Sequence, residues 1–503
     1  RTTWRRAALP LAWAWARAWA RPRAAWAPAA FTLAAALTLG CYALLWLPPL
    51  WLFRFPVFVD KNPDIGVILG LSAGGMLRYG ALVLIPYACY FAALALLPHT
   101  PRRLALRGTL LVGVIAPLLL LATYPAFAAD VFQYLLSGRL MVAHHANPYT
   151  VPPSAIPGDP YFPPVVWRDL LANYGPAWLW LSAVPVALAG AHRVLALLLL
   201  KGLMVAAHLT TAWLVYRTVR RIAPERATQA LLAYLWNPLV IVSFAVDGHN
   251  DALLVLCLAA ALALALGGYW EGAFPALTLG VLVKFVPLVL FPIFLLAARR
   301  SRRRAALGLA GSALLAVVFY HPFWAGTHTF DGVLKQGSLL TSSPASLLSH
   351  LAPVGLLRPL FGAAFAAGYL LLLRRVHGLP ERAFAAIILY LVTLSFWTKG
   401  WYFTWPLALA ALVGGDVLTV AAVATLGAFV ATVFWGWMLP MDWWGMEGPW
   451  GLVPLDLTMG LSLYLPWFLG AVWLWRRRGG RAGERPSTTL AARSRRILRL
   501  RSG

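Results

Sequence analysis

Apolar residues in this chain come in long blocks, not in the alternating or one-face patterns of soluble strands and helices. Blocks over 31–53, 67–98, 106–129, 191–217, 228–246, 252–267, 273–298, 305–321, 349–373, 383–397, 401–415, 417–438 and 453–475 read as candidate membrane crossings, each to be judged against the roughly 20 apolar residues a spanning helix needs. Arginine clusters separate many of them: Arg1–Arg23, Arg102–Arg107, Arg217–Arg226, Arg299–Arg304, Arg374–Arg382 and Arg476–Arg481. Short positive loops stay cytoplasmic. All six clusters reach one side if 273–298 enters and returns on the same face. A turn at Lys284, with Pro287 behind it, would split that block into two short helices.

The pattern predicts an all-α polytopic membrane protein with about 12–14 transmembrane helices. Its parts are a cytoplasmic Arg/Trp-rich tract over 1–30, a transmembrane domain over 31–475, and a basic cytoplasmic tail over 476–503. The longest extracytoplasmic loop is 130–190. Within it, 131–146 and 176–190 suit surface helices, and the proline-rich 148–164 suits an ordered irregular loop. No cleavable signal peptide is expected from the first 30 residues.

Composition supports this class. Of the 503 residues, 61% are hydrophobic and 12% charged. That excludes disorder and leaves too little polar surface for a soluble globule of this size. The net charge of +26 comes almost entirely from arginine, since only five of the 42 basic residues are lysine: Lys61, Lys201, Lys284, Lys335 and Lys399. The arginines sit between apolar blocks, which argues against a nucleic-acid partner and for the lipid bilayer. Cys41, Cys89 and Cys257 lie inside apolar runs and suit small core filler. On this map 11 of the 16 acidic residues fall outside: Asp60, Asp64, Asp130, Asp159, Asp169, Asp247, Asp251, Asp331, Asp442, Glu447 and Asp456. Topology does not demand such a gathering, so the chemistry is expected to face outward.

Four places carry candidate chemistry. Asp130 follows the third block, where a carboxylate beside lipid is costly unless paired or used; it reads as a general base or as a helix cap. Asp247-Gly-His249-Asn250-Asp251 interrupts two apolar blocks and reads as a plain loop or a His–carboxylate cluster, with only a weak metal signal. Lys284, in an apolar block, reads as a phosphate-holding cation at a helix break or as a snorkelling side chain. Lys399, between Trp397 and Trp401-Tyr402, reads likewise or as part of an aromatic belt. Lys201 and His208 share one face of the fourth long block. No Walker A, Rossmann glycine fingerprint, DxD or nucleophile elbow occurs, and no metal or other cofactor is expected.

The order of motifs from 30 to 475 resembles the GT-C glycosyltransferases, most closely the GT87-type and related polyprenyl-phosphate-mannose-dependent mannosyltransferases. The residues carrying the likeness are Asp130, Tyr134, Gly138-Arg139, Asn147-Pro148-Tyr149, Tyr174-Gly175-Pro176, Trp236-Asn237-Pro238, Asp247 to Asp251, Val283-Lys284-Phe285 with Pro287, and Trp401-Tyr402 with Trp405-Pro406. The resemblance implies a sugar donor on a polyprenyl phosphate and a glycolipid or glycan acceptor. It also implies an active site outside the cytoplasm, and inversion with Asp130 as base. Lys284, Lys399 and Arg139 are then the candidates for the donor phosphate. Tyr134, Asn147, Tyr149, Tyr174, Asn237, Asp247, His249, Asn250, Asp251, Trp401 and Tyr402 are the candidates for substrate binding. The alternatives are a lipid or solute transporter or flippase, and a related ligase or polymerase using a lipid-pyrophosphate donor.

Overall fold

The computed structural model describes residues 25–55, 63–438 and 453–480. Most of the 1–30 tract, Asp60, Lys61, Asp442, Glu447 and the tail beyond 480 therefore lie outside the described residues. Within them the chain is helical and forms no strand, only isolated bridges such as Trp51 with Thr123.

The helices are α1 (Ala27–Cys41), α2 (Ile65–Leu69), α3 (Ala73–Leu96), α4 (Arg102–Leu120), α5 (Asp130–Val142), α6 (Pro176–Ala189) and α7 (Arg193–Ile222). There follow α8 (Ala227–Leu235), α9 (Pro238–Ile241), α10 (Asp251–Leu266), α11 (Trp270–Val283), α12 (Phe291–Ala298), α13 (Arg302–Tyr320) and α14 (Asp331–Ser338). The last are α15 (Pro344–Leu348), α16 (Val354–Arg375), α17 (Leu379–Thr393), α18 (Thr404–Val413), α19 (Gly415–Val433) and α20 (Val453–Gly480).

Among the described residues eight helices are long and apolar enough to cross a membrane, and a bent pair, Pro224–Leu235 with Pro238–Val246, makes a ninth if it crosses as one. The protein is an all-α polytopic membrane protein. The remaining expected crossings are shorter helices: Asp251–Leu266 for 252–267, Trp270–Val283 with Val286–Ala298 for 273–298, Leu379–Thr393 for 383–397 and Gly400–Val413 for 401–415. The reason is local. The blocks at 252–267, 273–298 and 401–415 are bounded or interrupted by Asp251, Lys284 and Lys399-Gly400, and the helices stop there. Lys284 itself is extended, closing α11 before a 3₁₀ turn over Val286–Leu290. The bent pair breaks at Asn237, whose side chain accepts from Val240 N and caps α9, with Pro238 in its first turn.

The block at 106–129 is longer than its helix. After Leu120 the chain unwinds and is tied instead to the segment after α1, through Leu52 N to Ala122 O (2.9 Å) and Tyr124 N to Leu50 O (2.6 Å). Within 130–190 the two expected helices are α5 and α6, with irregular chain and one 3₁₀ turn between them.

Short helices lead from the polar breaks to an arginine-bearing end. Arg226 donates to Val413 O at the end of α18 (2.7 Å), Arg477 pairs with Asp416 just beyond (2.8 Å), and Arg304 donates to Gly268 O after α10 (3.1 Å). At its other end α18 carries Trp405, which bonds Asp251 at the start of α10 (2.6 Å). Asp251 and the arginines thus lie at opposite ends of both helices.

Candidate active site

Lys201 and Asp247 fix where Asp130 sits. Lys201, fully buried on α7, donates to the carbonyls of Leu120 and Leu121 (3.4 and 2.9 Å) and of Thr123. A cation on the last carbonyls of α4 is favoured by their partial negative charge. Asp247 accepts from Phe127 N (3.1 Å) in the segment that follows. Burial holds the Asp247 carboxyl well above its usual range, the amides of Phe127 and Ala128 and the nearby Lys201 pulling it back. Gly248 adopts φ +67°, and a Cβ there would lie 3.2 Å from Lys201 Cγ and 3.3 Å from Val131 Cγ2. Only a glycine lets the 247–251 loop close this tightly over the linker. The linker then delivers Asp130 as the first residue of α5. The cap position is Ala129 and Asp130 makes no capping bond, so its carboxylate is aimed at something else.

It faces the 247–251 loop. His249 Nδ1 lies 3.7 Å from Asp130 Oδ2, and the imidazole stacks on Trp401 with centroids 4.0 Å apart. Asp251 Oδ1 accepts from Lys284 Nζ (3.0 Å) and Trp405 Nε1 (2.6 Å). Asn250 Oδ1 accepts from Tyr134 OH (3.3 Å), which is also 3.3 Å from Tyr174 OH. Lys284 Nζ sits over the rings of Tyr402 (4.4 Å), Trp405 (5.1 Å) and Tyr174 (5.9 Å). Both nitrogens of His249, Nδ2 of Asn250 and Oδ2 of Asp251 are buried with no hydrogen-bond partner. Buried polar atoms are rarely left so in native proteins. Four converging on one loop mark a place built to bond something else.

The electrostatics suit proton transfer. Burial raises the Asp130 carboxyl to about 6, with Lys284 and Lys399 opposing and Asp251 reinforcing. The side chain still keeps 23% of its surface open, enough for a substrate hydroxyl to reach it. Burial, and then Lys284, hold His249 well below the usual imidazole value, so it is neutral near pH 7. Burial lowers Lys399 to about 8, with Asp130 and Asp456 holding it up.

Among the sequence candidates, the structure thus gathers Asp130, Tyr134, Tyr174, His249, Asn250, Asp251, Lys284, Trp401 and Tyr402, with Lys399 next to them. Asp247 stands one layer behind. Asn147 and Tyr149 act further back: Asn147 turns the loop by accepting from Tyr149 N (3.0 Å) and donates to Phe323 O (2.9 Å), and Tyr149 OH donates to Tyr174 O (2.8 Å). Asn237 is not brought to the cluster; it donates to Thr425 Oγ1 (2.9 Å) at the bend. Arg139 is not either. Its guanidinium pairs with the buried Asp159 (2.8 Å), which His144 also contacts (2.8 Å), and this hub holds the 148–168 loop. Trp405 was noted as part of a motif but not as a site residue. An indole N–H needs a buried acceptor, yet nothing in the sequence names Asp251 as that acceptor. Among the described residues no three His, Cys, Asp or Glu side chains form a metal-sized group.

Residues 68–300 match the family described as alpha-(1->6)-mannopyranosyltransferase, N-terminal domain. Over that stretch the chain is similar to these mannosyltransferases. It is 26% identical over 355 residues to alpha-(1->6)-mannopyranosyltransferase A of Mycobacterium tuberculosis (strain ATCC 25618 / H37Rv), covering 64% of this chain and 67% of that one. Alpha-(1->6)-mannopyranosyltransferase A of Corynebacterium glutamicum is 27% identical over 184 residues, 36% of each chain. A probable alpha-(1->6)-mannopyranosyltransferase of Mycolicibacterium smegmatis is 30% identical over 153 residues, 30% of this chain and 27% of that one. The chain therefore aligns with about two thirds of the first relative's length and with much less of the other two. The resemblance to GT-C mannosyltransferases stands. The matched region runs through Asp130, the 247–251 loop and Lys284, and ends before Lys399.

Proposed function

We propose that the chain transfers a mannosyl group from a polyprenyl-phosphate donor to a hydroxyl of a glycolipid or glycan acceptor, on the extracytoplasmic side of the membrane. Asp130 accepts the proton of the acceptor hydroxyl. The hydroxyl oxygen attacks the anomeric carbon in line, the bond from that carbon to the phosphate oxygen breaks, and polyprenyl phosphate leaves. Inversion to an α-linked product requires a β-linked donor, and the names of the relatives point to the acceptor's 6-hydroxyl. Charge developing on the leaving phosphate is met by fixed cations in a water-poor site. Lys284 and Lys399 flank Asp130 and suit this role; Arg139, committed to Asp159, suits it less.

The observation that carries this reading is the carboxylate of Asp130, partly open and raised to about 6, facing a loop of unsatisfied polar atoms beside two lysines. A base is most effective when its proton affinity is matched to working pH. His249, Asn250 and the Tyr134–Tyr174 pair offer sugar hydroxyls several donors and acceptors. Trp401 and Tyr402 offer faces on which a pyranose can stack.

The test is transfer of radiolabelled mannose from polyprenyl-phosphate mannose to a crude glycolipid acceptor by the purified chain in lipid. Asp130→Asn should lose about 10²–10⁴-fold in rate while eluting and unfolding as an intact protein. Unchanged transfer by that variant sinks the base assignment. Lipid crossing without transfer in the wild type sinks the enzyme reading in favour of a flippase.

A further inference from the structure

We infer that Lys399, not Lys284, receives the donor's lipid phosphate. The phosphate then occupies the cavity between the Lys399 turn and α19. This rests on the transferase reading above and assigns the donor end of its site.

The two lysines differ in what they already hold. Lys284 is 3.0 Å from Asp251, whose side chain is fully buried, and is ringed by Tyr174, Tyr402 and Trp405. Drawing it to a phosphate would leave a buried carboxylate without its counter-ion, a costly exchange. Its role is to set Asp251 and, through it, the loop facing Asp130. Lys399 is 91% buried as a residue, since only 9% of its surface is exposed. Its ammonium lies over Trp435 (3.8 Å) and Trp397 (4.5 Å), and among the described residues no carboxylate lies within ion-pair distance. An anion can bind it without displacing one.

Lys399 also lines a cavity of about 60 Å³, with Asp64, Phe127, Trp401, Thr432 and Trp435 among the walls. Counting about 10–15 Å³ of such space per water, it takes about four to six waters, roughly the bulk of a phosphate group. One wall, Trp401, has its ring against His249, which faces Asp130. Trp401 and His249 therefore link the wall of this cavity to the base. Ala428, Ala431 and Thr432 of α19 also line the cavity.

The chain around Lys399 is built to stay put. Thr341 N donates to Phe396 O (3.0 Å) and Thr398 N to Thr341 O (3.1 Å). A Cβ on Gly400 would lie 2.5 Å from Ala428 O, so a glycine lets the turn touch α19. A preorganised cation is what a leaving phosphate needs.

Binding of fluorescent polyprenyl phosphate to the full chain in nanodiscs tests this without catalysis. Lys399→Met should weaken binding at least tenfold, and Lys399→Arg should stay within about threefold of wild type. Thr432→Phe, which fills the cavity and leaves the charge, should weaken it at least tenfold too. Neutral polyprenol should bind poorly to every form, and inorganic phosphate should compete only at far higher concentration. Full-strength polyprenyl-phosphate binding by Lys399→Met, or by Thr432→Phe should the first variant fail to fold, overturns the assignment. So does polyprenol binding as tight as that of its phosphate, or inorganic phosphate competing as well as the lipid. Because no sugar is transferred in this assay, its outcome is independent of whether Asp130→Asn abolishes transfer.

Discussion

Asp130→Asn should make the protein more stable as it makes it inactive. Folding raises the Asp130 carboxyl from its ordinary 3.8 to about 6, chiefly through burial. A carboxyl with a raised folded-state value is charged at a cost. The cost is complete above pH 6, where both folded and unfolded chains carry the charge, and it vanishes below 3.8, where both are protonated. At about 1.4 kcal/mol per tenfold change in proton affinity, the full cost is about 3 kcal/mol. The side chain keeps 23% of its surface open, so water screens part of it and about 2 kcal/mol is the working figure. Asparagine has nearly the same shape and no charge, so it removes this cost. Tryptophan fluorescence of the 25 indoles reports unfolding directly. At pH 7.5 the variant should melt about 2–4 °C above wild type, and by pH 4.5 the gap should shrink to about a third. A variant melting at or below wild type at pH 7.5, or a gap that ignores pH, would refute the claim that Asp130 is held at an electrostatic cost for use.

Two further outcomes follow from the same site. Transfer should rise with pH through about 6 as Asp130 loses its proton, and KM for the polyprenyl-phosphate donor should climb above about 8 as Lys399 loses its own; a rate that is flat from pH 5 to 7 in a buffer series contradicts the first limb. Gly248→Ala should cost about 1–2 kcal/mol, because the residue sits at φ +67° with Lys201 and Val131 pressed against the new Cβ; kcat should fall with KM little changed, and unaltered kcat would mean the loop does not set Asp130.

The sequence made the class plain because blocks of apolar residues need no tertiary information to be read. It also exposed the break at Lys284, since a lysine followed by Pro287 is hard to accommodate inside a spanning helix. It could not reveal that Asp251 answers Lys284 and Trp405, because those partners lie 33 and 154 positions away. Lys201 had no partner in sequence at all; its partners are backbone carbonyls at the end of α4, which leave no side-chain signature. Arg139 shows the opposite case. Its helix does carry Asp130, but nine residues on, and an acid from the irregular loop, Asp159, had already claimed it. Hydropathy alone did not separate full-length helices from the shorter apolar ones, as at 252–267 and 401–415.

Helix length sets the depth of this site. The helices α10, α11 and α18 have 16, 14 and 10 residues. At 1.5 Å per residue they are about 24, 21 and 15 Å long, against a hydrocarbon core of about 30 Å. α10 and α18 end among the arginines, through Arg304 at Gly268 and Arg226 at Val413, and α11 starts at Trp270, just past Gly268. Asp251, Lys284 and Trp405 therefore lie less than a full crossing's length from the arginine-bearing end. A site at this depth can draw a lipid phosphate inward from the bilayer and a sugar hydroxyl from water. The cost is a set of buried charges, and Lys284 with Asp251 and Lys201 with the α4 carbonyls show how they are held. Lys399, by contrast, has neither a carboxylate nor a carbonyl on its ammonium among the described residues, only indole rings, and an incoming phosphate would complete it.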